Sequence, residues 1–229
     1  MSAYFYVLLG SIVFPFFLSF KKKISFYKKW KFIFPSIFLV AIVFIAWDIY
    51  FVKNGVWGFN KAYLSGLYVF NLPIEEVLFF VIIPYCFMFT YEVVKGYFPK
   101  TNFKSLANYF SLVVVLLGIS LACFFMEKIY TLTACSLAAL LTIFAHKSFK
   151  DFSFFVPSYL IILFPFLLVN GVLTGIATSS PIVWYSKMEI IGIRVFTIPI
   201  EDSFYGYSLL LSVAILSEKL SDFFTKTSK

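Results

Sequence analysis

Seven long apolar runs, separated by short segments that carry most of the lysines, dominate this chain. They cover about 4–20, 32–52, 74–92, 106–125, 129–145, 154–172 and 198–217. An α-helix needs roughly 17–25 apolar residues to cross the hydrocarbon layer of a bilayer. Backbone N–H and C=O groups find no partner in lipid, so apolar runs of this length must be helical. The expected fold is all-α and integral to a membrane, with seven transmembrane helices. Composition agrees, since 62% of the 229 residues are hydrophobic, 13% are charged and the mean hydropathy is +0.94. One soluble core of this length cannot hide so much apolar surface. The first run has no basic segment ahead of it and no small-residue cleavage site behind it. It reads as a span and not as a removable signal.

The basic residues set an orientation. Lys21, Lys22, Lys23, Lys28, Lys29, Lys31, Lys95, Lys100, Lys104, Lys147, Lys150, Lys219, Lys226 and Lys229 fall on one side of the expected layer. Only Lys53, Lys61, Lys128, Lys187 and Arg194 fall on the other. Positive loops stay inside, so the chain is expected to be a multi-pass protein of the cell membrane, with its N-terminus outside and its C-terminus cytoplasmic. The net charge of +8 is a topology signal here and does not point to nucleic acid. Cys86, Cys123 and Cys135 lie in apolar stretches without a C-x-x-C pair, which argues against a metal or disulfide framework. Two outer segments, about 53–73 and 173–198, are rich in glycine and aromatics and read as reentrant or interfacial. Trp57 and Trp184 within them suit the membrane interface.

An internal repeat narrows the architecture. Gly66-Leu-Tyr-Val-Phe-Asn-Leu-Pro-Ile-Glu-Glu76 and Gly192-Ile-Arg-Val-Phe-Thr-Ile-Pro-Ile-Glu-Asp202 match at six of eleven positions with an offset of 126 residues. That offset carries the first three runs onto the last three and leaves the fourth over. Three helices per unit is an odd number, so a bare tandem would be inverted, and the extra helix restores the orientation. Two parallel three-helix repeats are expected over 1–104 and 128–229, joined by a linker helix over 105–127. Both acidic motifs then lie at the outer ends of their helices, where one site can be shared between the copies.

The motifs suggest acid–base chemistry. Pro73 and Pro199 suit a helix start, which puts Glu75, Glu76, Glu201 and Asp202 in first turns, near the positive end of the helix dipole. Acidic residues there are good local chemistry on their own. Two copies at matching ends of apolar helices favour function, because ionisable groups at membrane depth are expensive. Four carboxyls in apolar surroundings can supply a proton donor and an acceptor. Phe79 and Tyr205 stand four residues after Glu75 and Glu201, on the same helix face. With Phe70, Phe196 and Phe204 they are candidate rings for a substrate site, where a π face steadies a cation. Core packing explains each ring taken alone. Asp48 and Asn170, near the outer ends of the second and sixth runs, are candidates to orient the carboxyls, and plain interfacial polarity explains them equally well.

Trp57-Gly58-Phe59-Asn60 with Leu72-Pro-Ile-Glu-Glu-Val-Leu-Phe-Phe80 resembles the first half of the membrane-integral lycopene cyclases. Asn170-Gly171 with Pro199-Ile-Glu-Asp-Ser-Phe-Tyr-Gly206 resembles the second half. The resemblance spans about 4–218. Ser203 departs from it where the family has Phe, without touching the acidic pair. The family occurs as two small subunits or as a fused seven-span chain of the heterodimeric or fungal type. The resemblance implies a redox-neutral cyclisation of the ψ-end groups of lycopene to β-ionone rings within the bilayer. It implies Glu75, Glu76, Glu201 and Asp202 as acid and base, no cofactor, and contact with other carotenoid enzymes. The glycine fingerprint of flavin-dependent cyclases, G-x-G-x-x-G, is missing from the sequence.

Two other classes fit poorly. A membrane prenyltransferase needs clustered aspartates to hold magnesium and diphosphate, and Asp48, Asp151, Asp202 and Asp222 are scattered. A retinal protein needs a mid-span lysine for its Schiff base, and the last run has none before Lys219. A transporter or a non-catalytic carotenoid-binding protein with intramembrane carboxylates remains the alternative.

Overall fold

The computed structural model describes residues 2–227. Lys229, counted above with the inner tail, lies outside the described residues, as does the side chain of Lys226. Among the described residues there are seven α-helices: α1 Ala3–Leu18, α2 Trp30–Lys53, α3 Ile74–Tyr97, α4 Lys104–Phe124, α5 Ile129–Ser148, α6 Phe152–Leu173 and α7 Ile200–Thr227. Each coincides with one apolar run. Five of them, α2 to α6, are long and apolar enough to cross a membrane. Helix α1 is apolar but has only 16 residues. Helix α7 extends to Thr227, beyond the expected end at 217, because its polar last turns have partners. The Glu218 carboxylate accepts from the backbone N–H groups of Lys150 and Asp151, at 3.1 and 3.3 Å. Lys150 also pairs with Asp222.

The outer surface supports a membrane setting. Phe14, Phe17, Ile42, Val43, Leu116 and Phe164 all stand exposed on the helices. A water-soluble monomer rarely shows contiguous apolar surface on this scale, whereas lipid tails solvate it.

The two outer segments, expected to be reentrant or interfacial, contain no α-helix between the ends of the flanking helices. One short 3-10 turn, Lys61–Tyr63, is their only helical piece. They form three antiparallel two-stranded pairs instead. Strands β2 (Tyr68–Val69) and β3 (Leu72–Pro73) make a hairpin that leads straight into α3. Strands β5 (Arg194–Val195) and β6 (Ile198–Pro199) make a second hairpin that leads into α7. The two hairpins share their local geometry. Gly66 and Gly192 precede them at φ +85° and +89°, and Phe70 and Phe196 form their tips at φ 56° and 57°. A left-handed backbone is easy for glycine and strained for phenylalanine. The same departure at two positions 126 residues apart marks a conformation that the tight turn demands.

The remaining strands, β1 (Trp57–Phe59) and β4 (Val183–Tyr185), come from different halves of the chain and pair with each other. Gly58 lies opposite Trp184, so the pair is centred on two residues that are themselves 126 apart. Glycine is required at 58, because a Cβ there would fall 2.4 Å from the Trp184 indole.

Helices α3 and α7 form the buried centre, with Phe80, Phe87, Leu210, Leu211 and Val213 almost wholly enclosed. Helix α4 packs along α5, and Gly118 sets how close they come. A Cβ at Gly118 would sit 2.8 Å from the backbone carbonyl oxygen of Cys135 and 3.2 Å from Ala139 Cβ. Gly118→Val therefore forces the helices apart, at a cost of about 1–3 kcal/mol, as for other overpacked sites. Thermal unfolding in detergent should show a lowered Tm for Gly118→Val. Gly96→Ala, where a Cβ meets nothing within 4 Å, should leave Tm unchanged or slightly raised.

Candidate active site

Each hairpin delivers two adjacent acidic residues into the first turn of a helix, Glu75 and Glu76 in α3 and Glu201 and Asp202 in α7. Neighbours on a helix point about 100° apart, since a turn takes 3.6 residues. The two members of each pair therefore meet different surroundings.

Glu75 and Glu201 are fully buried and hold the chain together. Glu75 Oε1 accepts from the Ser65 backbone N–H at 2.7 Å and from the Ser2 hydroxyl at 2.5 Å. Ser2 also caps α1 by accepting from the Phe5 N–H at 3.1 Å. Glu201 Oε1 accepts from the Ile191 N–H and the Thr131 hydroxyl, both at 2.7 Å. Each carboxyl thus ties the segment ten residues upstream and the first helix of its own half to the N-terminus of a central helix.

Glu76 and Asp202 face inward to a shared cavity of about 50 Å³. Tyr4 donates to Glu76 Oε2 at 2.7 Å. Tyr130 donates to Asp202 Oδ1 at 2.6 Å, and Tyr185 donates to Oδ2 at 2.8 Å. Burial and the adjacent Asp202 carboxylate push the Tyr185 phenol, which stands on β4, well above its ordinary value. It therefore remains a donor throughout the neutral range. Asp48 reaches the same cavity from α2. Its Oδ1 accepts from the Trp57 indole N–H, while its buried Oδ2 has no partner among the described residues. Three carboxyls from three helices thus converge on one enclosed space.

Aromatic faces surround them. Trp57 lies 4.9 Å from Tyr130 and 6.0 Å from Tyr205, measured between ring centroids. Tyr130 stacks on Tyr185 at 6.0 Å and 11°. Tyr205 is flanked by Trp47 at 5.0 Å and Phe44 at 5.2 Å. The Tyr205 hydroxyl is buried and has no partner among the described residues. A cation formed inside this cage would meet π faces on several sides, each worth about 0.5–2 kcal/mol.

The sequence candidates divide on this geometry. Asp48, Glu76, Phe79, Asn170, Asp202 and Tyr205 all line the cavity. Glu75 and Glu201 do not line the cavity; each uses Oε1 in the ties described above, and its buried Oε2 has no partner among the described residues. Phe204 is half-buried and packs against the core beside the cavity without lining it. Phe70 and Phe196 stand exposed at the hairpin tips and are not among the lining residues. Trp57 is not an interfacial anchor, as its pattern suggested, but a buried residue bonded to Asp48. Tyr4, Tyr130 and Tyr185 went unrecognised in the sequence. Tyr4 and Tyr130 stand 126 residues apart, so the repeat offset could have found them.

Five helices long and apolar enough to cross a membrane, paired hairpins and an aromatic cavity lined by carboxyls describe a helical protein of membrane type with a candidate acid–base site. The chain belongs to the lycopene cyclase family, whose profile matches residues 1–94 and again residues 127–220. The two matched stretches begin 126 residues apart, at the offset of the hairpins. Over 51 residues the chain is 39% identical to the bifunctional lycopene cyclase/phytoene synthase of Leptosphaeria maculans. Over 53 residues it is 34% identical to the enzyme of that description from Gibberella fujikuroi. These stretches are 21% and 22% of this chain and 9% of each relative's length. No solved structure matches the chain.

The tying role of Glu75 and Glu201 is open to experiment. Glu75→Gln and Glu201→Gln keep an acceptor oxygen and should lower Tm only slightly. Glu75→Leu and Glu201→Leu strand the Ser65 or Ile191 N–H and should cost about 1–3 kcal/mol. Thermal unfolding in detergent measures both pairs, and equal Tm values for Gln and Leu variants would refute the tying role.

Proposed function

We propose that this protein is a lycopene β-cyclase that works inside the bilayer without a redox step. The observation that carries the proposal is the convergence of Asp48, Glu76 and Asp202 on one aromatic cavity. Membership of the lycopene cyclase family supplies the substrate class. The reaction begins when a carboxyl protonates the terminal double bond of the ψ-end group. The resulting tertiary cation is attacked by the internal double bond, which closes the ring and moves the positive charge into it. A carboxylate then removes a ring proton and leaves the β-ionone double bond. One proton enters and one leaves, so the reaction is an isomerisation.

The hydrogen bonds suggest how the roles divide. A carboxylate is an acceptor only. Asp202 receives one phenolic O–H on each oxygen, an arrangement matched to the anion, so it is the base. The proton is supplied by the other two carboxyls, Asp48 and Glu76. The rings of Trp57, Tyr130 and Tyr205 stabilise the cation between the two transfers.

The architecture proposed with this function is two parallel three-helix repeats, 1–104 and 128–229, about a pseudo-two-fold axis along the membrane normal. The linker, 105–127, keeps them parallel. The hairpin pair and the self-paired β1–β4 centre support it, as do the two family matches. The lysine distribution supports a multi-pass cell-membrane protein with the N-terminus outside and the C-terminus cytoplasmic. The site then lies near the outer face, and handover from other carotenoid enzymes proceeds through the lipid phase.

Expression in a bacterium that accumulates lycopene, followed by chromatography of the carotenoids, tests the reading. The wild-type chain should yield γ- or β-carotene. Asp48→Asn, Glu76→Gln and Asp202→Asn should each lose about 10²–10⁴ in rate at matched membrane levels, the usual worth of general acid–base catalysis. Lycopene left unchanged by well-expressed wild-type protein would refute the cyclase reading.

Tyr185→Phe removes one of the two donors on Asp202 and leaves the cage otherwise intact. A hydrogen bond to a charged group contributes about 1.5–3 kcal/mol, so kcat should fall roughly ten- to hundred-fold. Assay in detergent with dispersed lycopene should find KM little changed, since the phenol does not touch the polyene body.

A further inference from the structure

A second, larger cavity adjoins the acid site and is not used by the chemistry above. It is a groove of about 520 Å³ between α1, α3 and α6. Ile83, Phe166 and Leu210 line both spaces, so the groove runs up to the carboxyl cavity and shares a wall with it. Its outer rim is formed by Gly10, Phe14, Pro165 and Leu168, which are exposed. Its floor is Ile83, Cys86, Phe89 and Phe166, which are buried. The groove therefore opens sideways, through the face that meets lipid.

The groove offers nothing to a polar ligand. Its few polar groups are satisfied within the protein. Ser11 Oγ donates to Val7 O at 2.8 Å, Thr90 Oγ1 to Cys86 O at 3.0 Å, and Cys86 Sγ to Ser11 O at 3.3 Å. The lining that faces the space is overwhelmingly hydrocarbon. Prolines Pro15 on α1 and Pro165 on α6 stand on its two walls, and a proline inside a helix disturbs the regular packing of its neighbours.

The acid cavity, at about 50 Å³, is about a tenth the volume of the groove and holds a few waters, at roughly 10–15 Å³ each. A methyl-rich end group needs more than that and must displace a wall to enter. Phe166 is the bulkiest of the three side chains that line both spaces. Its ring lies against Gly206, where an added Cβ would be 3.2 Å from Cε2 and Cζ. It also faces both spaces.

We infer that the α1–α3–α6 groove is the binding channel for the polyene body of the substrate, and that Phe166 is the side chain that separates it from the carboxyl cavity. The end group passes Phe166 to reach Asp48, Glu76 and Asp202. The conjugated chain lies in the groove, and its far end projects into the bilayer. One groove serving one cavity means that a single end group is cyclised per binding event. A lipid acyl chain is apolar in the same way, but only the polyene ends in a double bond that the carboxyls can protonate. This assignment rests on the cyclase reading for the identity of the occupant.

Filling the groove tests it. The full chain carrying Asp202→Asn, purified in detergent from lycopene-accumulating cells, should retain lycopene, read as carotenoid absorbance per protein. Adding Gly10→Trp or Leu168→Trp, from opposite walls, should lower the retained lycopene about tenfold, the equivalent of roughly 1.4 kcal/mol in affinity. Ile42→Trp, on an exposed face of α2, should leave it unchanged. In the otherwise native chain the same two groove substitutions should reduce conversion by a similar factor. Thermal unfolding guards against misfolding, and two variants from different helices keep the test open if one fails to fold. Retention undiminished by both fillings would overturn the assignment and mark the groove as lipid-filled, as would a well-folded parent that retains no lycopene. Groove-dependent retention by a chain whose wild type leaves lycopene unconverted would sustain the channel and refute the cyclase reading alone.

Discussion

The carboxyl groups of Glu75 and Glu201 each join three stretches of chain that are distant in sequence. Each accepts from a backbone N–H ten residues upstream and from a hydroxyl some seventy residues upstream, while sitting in the first turn of a central helix. A buried carboxylate without donors is costly. Once the donors are in place, the same group resists any movement of the hairpin, the helix and the outer segment relative to one another. The next residue in sequence, Glu76 or Asp202, is then turned about 100° away. The tie fixes where it points, so one acid of each pair holds the scaffold while its neighbour faces the cavity.

The two hairpins are equivalent in backbone and their surroundings are unequal in chemistry. The hairpins agree to within a few degrees at Gly66 and Gly192 and at Phe70 and Phe196. The phenols of Tyr4 and Tyr130 meet the second acid of each motif in the same way. Yet Asp202 has a second phenol, Tyr185 from β4, while the cavity on the other side gains Asp48 and its Trp57 partner. The paired motifs supply similar acids, and the different partners around them give each its own surroundings. The β1–β4 pair carries much of that difference, because it brings Trp57 and Tyr185 to the site from opposite halves.

The aromatic abundance also has a place in this arrangement. Lipid-facing phenylalanines account for part of it, as on α1 and α6. The rings that enclose the cavity form a contiguous set, with Trp57, Tyr130, Tyr185 and Tyr205 in mutual contact. Such a set encloses Asp48, Glu76 and Asp202 in largely aromatic and apolar surroundings. The apolar groove beyond Phe166 extends that space toward the bilayer.

Helix number and approximate limits were legible in the sequence because hydrocarbon length and backbone hydrogen bonding leave few alternatives for apolar runs. The extra turns of α7 were not, since the last apolar run ends at 217 and the partners of Glu218 and Asp222 come from the α5–α6 turn. The paired acidic motifs were legible as well, because they repeat at one offset, and that offset already linked Tyr4 to Tyr130. The sequence by itself determined the helices and the equivalent placement of two acidic pairs. Only the tertiary structure decided which acid of each pair is structural, that Trp57 is buried against Asp48, and that Phe70 and Phe196 stand at hairpin tips. Spacing along one helix gives direction only relative to that helix. What a side chain meets depends on the donors and rings that other segments bring to it.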